Sequence, residues 1–153
     1  MAAGPYIVPN LSKLNFINAT DLLAATAANF RLALVTSVWT PAQTTDELWA
    51  AASANELAAG NGYTTGGAPV NATLSQTAGV VTFTVTPAVW TASGAGIPAW
   101  RRGVLYYLGT LNGKVNPIVA HCLGDATPAD VPLTTAGNTL TINPSGTGVL
   151  TLT

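Results

Sequence analysis

At 153 residues the chain is long enough for one domain that buries roughly 70% of its unfolded surface, and too short for two comfortable ones. Charged residues make up 7% of it, against about 25% in an ordinary soluble domain. With 48% hydrophobic residues, a net charge of -1 and a mean hydropathy of +0.38, the chain is not a disordered one, and five scattered basic residues make no stripe for a nucleic acid.

The opening, "MAAGPYIVPN", lacks the basic region and apolar core of a signal peptide, so synthesis in the cytoplasm of the producing cell is expected. Residues 1–18 read as an extended N-terminal arm, with Pro5 and Pro9 around "YIV". It is equally compatible with reaching a neighbour or with pairing inside the domain. Residues 19–153 then form a single domain. "NATDLLAATAANF" predicts a short helix capped by Thr20 or Asp21 and ending near Asn29.

"FRLALVTSV" follows with strand-like alternation. As a membrane span the same region is too short, and it is broken by Arg31, Thr36 and Ser37. "TPAQTTDELWAAASANELAAG" predicts a helix near 45–59, with Thr44 or Thr45 as its cap and Asp46 and Glu47 in its first turn. Leu48, Ala51, Ala52 and Leu57 would make its apolar stripe, and Gly60 its left-handed end.

The stretch "GNGYTTGG" raises the possibility of a phosphate cradle. A dinucleotide fingerprint needs its glycines after a strand and before a helix, because the helix N-terminus must face the pyrophosphate. Here they follow a predicted helix and lead into a strand, Thr65 stands where a third glycine would be needed, and no Lys-Ser or Lys-Thr follows. Gly60, Gly62, Gly66 and Gly67 are therefore expected to build a structural loop, with Tyr63 folding onto the sheet as an anchor.

Beyond Gly67 the period changes to two, through "VNATLS", "VVTFTVT", "GVLYYLG", "NPIVAHCLG", "NTLTINP" and "GVLTLT", and "TAGV" suits a tight hairpin turn. The fold class expected is mainly β, an antiparallel β-sandwich or jelly-roll-like domain with one or two short flanking helices.

Chemistry-bearing residues are sparse. Cys122 is the only cysteine, so no intrachain disulfide forms. Its neighbour His121 would point to the opposite face of a strand, which argues against a dyad or a shared metal. Asp21, Asp46 and Glu47 are explained by helix starts, and Asp125 and Asp130 by the turn-like "GDATPADVP". No catalytic residue, metal site or cofactor is expected. Arg101 and Arg102 beside Trp100 suggest a contact that grips a partner's carboxylate, and Tyr6, Ile7 and Val8 suggest a strand lent to a partner's sheet.

The order of motifs adds a resemblance. "LALVTSVWTP", "DELWAAASANELAAGNGYTTGGAPV", "VVTFTVTPAVWTASG", "WRRGVLYYLG", "NPIVAHCLG" and the closing "GVLTLT" resemble, over about Phe30 to Thr153, a group of small tailed-bacteriophage virion structural proteins of the head decoration or cement type. The resemblance implies a non-enzymatic virion protein on the capsid surface. Its partners would be the major capsid protein and copies of itself in a homo-oligomer, with no nucleic acid and no membrane. A tail, tail-fibre or head-fibre module for host attachment is the alternative within the virion. A small carbohydrate-binding domain using Trp39, Trp49, Trp90 and Trp100 is the alternative outside it, although core packing is the role expected of most of these residues.

Overall fold

In the computed structural model, residues 4–12, 29–125, 127, 129–143 and 148–152 are described. The expected helix after Thr20 lies outside them. The fold is mainly β and antiparallel, as expected.

Five strands build the main sheet: β1 (Tyr6–Ile7), β2 (Phe30–Val35), β3 (Ala68–Val70), β7 (Arg102–Tyr107) and β10 (Ile118–Leu123), in the order β1-β10-β7-β2-β3. A three-stranded sheet of β12 (Leu150–Leu152), β5 (Val80–Val85) and β4 (Ala72–Thr77) and a pair of β11 (Thr139–Ile142) and β6 (Ala88–Thr91) supply the second layer. A small hairpin joins β8 (Thr110–Leu111) to β9 (Lys114–Val115).

Strand alternation sorts the core. Phe30, Leu32 and Leu34 of β2 and Leu105 of β7 meet Phe83, Val85, Trp90 and Ile142 from the second layer in one apolar cluster. Ala33 and Val35 of β2 and Val104 and Tyr106 of β7 face the other way, where Trp39, Trp49 and Ala52 cover them. Trp49 stacks on Tyr106 with ring centroids 4.7 Å apart. The central strands are thus dry on both faces, which is why "FRLALV" and "RGVLYY" carry apolar residues at consecutive positions.

The hairpin at "TAGV" forms as the sequence predicts. Thr77 pairs with Val80, and the two residues between them, Ala78 and Gly79, have φ of 50° and 85°. Two left-handed residues match the right-handed twist of the flanking strands.

The helix expected over 45–59 is a correction: only α1 (Ala50–Ser53) is helical. Backbone pairing at both ends claims the remainder. Trp49 donates its N–H to Asn116 O, Ile118 donates to Glu47 O, and further on Thr36 donates to Asn55 O and Leu57 to Leu34 O. Neither Thr44 nor Thr45 caps a helix, and Asp46 is not in a helical first turn; its carboxylate accepts the Trp39 indole N–H at 3.2 Å and the Ala42 amide at 3.0 Å. Glu47 reaches Lys114 Nζ at 3.0 Å. Of the expected stripe, Ala52 is buried against the sheet, Ala51 is exposed, and Leu57 joins the core on the sheet's other face.

The described part of the N-terminal arm lies against its own domain. Tyr6 and Ile7 pair with Cys122 and His121, Gly4 N–H donates to Leu123 O, and Ser12 Oγ donates to Ile118 O.

His121 carries a measurable consequence of this burial. It is 1% exposed, packed edge-on against Trp39, and burial, aided by the nearby Arg102 charge, lowers its pKa from 6.5 to about 4. The folded protein keeps the ring neutral down to that pH, whereas the unfolded chain takes up its proton near 6.5. Stability is expected to fall as pH drops from 6.5 to 4 by up to about 3 kcal/mol from this group, and no further below that. Urea unfolding across that range checks it, and His121→Gln should flatten the dependence; an unchanged slope would assign it to another group.

Candidate functional site

The glycine loop is built around a carboxylate of the chain itself. Glu56 Oε1 accepts the Tyr63 hydroxyl at 2.7 Å and the Gly66 amide at 2.6 Å. The Tyr63 oxygen in turn accepts the Leu34 amide of β2 at 3.0 Å, and Tyr106 donates its hydroxyl to Gly66 O at 2.9 Å. Burial pushes the pKa of both tyrosines up, so they act here as hydroxyl donors. Tyr63, 3% exposed and stacked on Trp90, is the anchor that the sequence predicts.

A phosphate cradle offers its backbone amides to a ligand. In this loop Gly60 N–H goes to Tyr63 O, Gly66 N–H to Glu56 and Gly67 N–H to Thr64 O. Those donors are spent internally. Gly60 is not the expected helix cap either: it faces Tyr63 across a tight turn whose central residues, Asn61 and Gly62, have φ of 54° and 94°. Gly62 and Gly67 are required by close approach as well, since a Cβ on either would stand 2.0 Å from a strand carbonyl, Thr91 O or Leu32 O.

The residues expected to meet a partner are not brought together on one exposed surface. Trp100, 2% exposed, pairs through its backbone with Val131 inside the main core. Arg101 forms an ion pair with Asp130 at 2.6 Å. Arg102, at the start of β7, has its pKa lowered by partial burial and by Arg101. Val8 is buried in the core, Tyr6 packs against it, and Ile7 is 40% exposed. Trp39, Trp49, Trp90 and Trp100 are 5%, 8%, 5% and 2% exposed and serve packing, the role the sequence favours for most of them over a carbohydrate platform.

His121 and Cys122 diverge as strand neighbours must. The thiol faces the main core, where burial pushes its pKa up to about 11, and His121 faces Trp39 and Gln43. Among the described residues no group of three His, Cys, Asp or Glu side chains could hold a metal ion, and no helix is long and apolar enough to cross a membrane.

One feature of the surface was not legible in the sequence. Beside the glycine loop opens a cleft of about 400 Å³, lined by Arg31, Thr64, Pro69, Val89, Trp90 and Thr91 among others. The only sequence signal for it is the charge that interrupts the apolar run "FRLALV". No family model matches this chain, and neither a curated protein nor a solved structure matches it.

The close approach at Gly67 yields a graded expectation. Gly67→Ala should cost about 3 kcal/mol or more, because strain at φ 77° adds to a clash with Leu32 O. Gly79→Ala, at φ 85° with open space around it, should cost about 1 kcal/mol. Denaturant unfolding of the two variants measures the difference, and equal losses would mean that the loop is not seated against β2.

Proposed function

We propose that this chain is a non-enzymatic structural protein of a tailed-bacteriophage virion, a decoration or cement protein seated on the outer face of the capsid. The reading rests on the resemblance carried by the helix-and-loop segment "DELWAAASANELAAGNGYTTGG" and the closing "GVLTLT". The structural observation that supports it most is the exterior. A rigid β framework presents a surface with few charges, on which Val38, Val115 and Val89 are 77%, 60% and 52% exposed.

Such a surface has little charge repulsion to oppose association, and apolar side chains held on short turns and strands can be buried with little loss of conformational freedom. On a shell, each copy meets the major capsid protein in the same geometry as the next. Contacts to the shell and to neighbouring copies then act together, and individually modest interfaces become a stable coat.

Quantitative mass spectrometry of purified particles tests this. One copy per capsid subunit, or a simple fraction of that, is the expected result. A handful of copies per particle would move the chain to the tail or fibres and overturn the decoration role, and complete absence from particles would overturn the virion reading.

A further inference from the structure

We propose that the cleft beside the glycine loop is a carboxylate-binding site, with Arg31 as the charged group that receives the ligand. The inference stands on the cleft alone and does not depend on the virion reading.

Arg31 lies between Phe30 and Leu32 on β2, pairs with Pro69 on one side and Tyr106 on the other, and so leaves the sheet on the face opposite the main core. Arg31 is half-buried, and its planar guanidinium is suited to a carboxylate. Here every carboxylate side chain among the described residues is engaged elsewhere. Asp46 serves Trp39 and Ala42, Glu47 serves Lys114, and Glu56 serves Tyr63 and Gly66. Asp125 accepts from Thr127, and Asp130 from Arg101.

Two cleft residues carry N–H groups that are shielded from water and have no acceptor: Arg31 through Nε and Trp90 through Nε1. Trp90 is 5% exposed, so its position is set by core packing rather than by solvent. Tyr6, Trp100, Arg102 and His121 also carry a buried side-chain polar atom without a partner, but Arg31 and Trp90 are the two such residues among those that line the cleft.

The chemistry favours a carboxylate over a phosphate. One guanidinium balances one negative charge, and at the cleft the Gly67 amide, a donor that could serve a further phosphate oxygen, is already bonded to Thr64 O. Exposed Val89 and Pro69 at the cleft supply apolar contact for an aliphatic stem, and Thr64 and Thr91 supply hydroxyls beside it. The volume, about 400 Å³, suits a small acid or an acidic side chain with its adjoining backbone.

Titration of the full ¹⁵N-labelled chain at constant ionic strength tests the assignment, followed through the Arg31 Nε–H and the backbone amides of Thr64, Ala68 and Thr91. The probes are N-acetylglutamate N-methylamide, its glutamine isostere, sodium propionate and inorganic phosphate. Saturable shifts with the glutamate derivative are expected, with the glutamine isostere weaker by about tenfold or more. Arg31→Gln should abolish them. So should Val89→Glu, an exposed substitution whose spectrum elsewhere reports an intact fold. Propionate saturating as well as the glutamate derivative would identify the source as a free acid, and a response to the glutamate derivative alone would identify a peptide side chain; either supports the carboxylate assignment. An equal response to glutamine, stronger binding of phosphate, or no saturable shift in the folded wild-type chain would overturn it.

Discussion

Strand β2 has to satisfy its backbone after the strand beside it has ended. Its pairing with β3 covers Phe30 to Leu32, and Leu34 lies beyond it in the dry interior. A buried amide left without a partner there would cost about 1–3 kcal/mol. The Leu34 N–H instead donates to the Tyr63 hydroxyl, and the Leu34 carbonyl accepts from the Leu57 amide. The loop, its tyrosine and the return of the chain from α1 are therefore parts of the sheet in energetic terms, although none of them is a strand of it.

This requirement organises the neighbourhood. Tyr63 can reach β2 only if its loop lies flat on the strand backbones, which Gly62 and Gly67 permit by having no Cβ at the two points of contact. A loop pressed that close has its own polar groups to satisfy, and Glu56 does so by accepting from both Tyr63 and Gly66. Placing Glu56 there draws residues 54–57 alongside β2, which ends α1 after four residues. The same packing sets Trp90 against Tyr63 and brings β6 near β3, so the walls of the Arg31 cleft follow from how the sheet is completed.

The helix over 45–59 shows where local reasoning loses to tertiary structure. Thr44, Asp46 and the alanine-rich run satisfy the rules for a helix start and a helix interior, but a cap is worth about 1 kcal/mol and interior preferences only tenths of a kcal/mol per residue. Against them stand backbone hydrogen bonds to residues 34–36 and 116–118 and the burial of Trp39 and Trp49 over the sheet. These rewards come from partners distant in the chain, and no window of sequence contains them. The arm is a related case: "YIV" flanked by prolines marks extended chain, but whether it pairs with β10 or with a neighbour depends on where β10 presents its edge.

By itself the sequence determined the β class, the positions of most strands, a tight hairpin turn at "TAGV", the divergence of His121 from Cys122 and the role of Tyr63 as an anchor. Each follows from short-range physics: alternation of side chains, the φ that glycine allows, and the size of an aromatic ring. Tertiary structure alone decided that the glycine loop closes around Glu56, that Arg101 pairs with Asp130, and that Arg31 stands in a cleft without a carboxylate partner among the described residues. Those outcomes depend on which groups compete for each donor and acceptor, and that competition exists only once distant segments have been brought together.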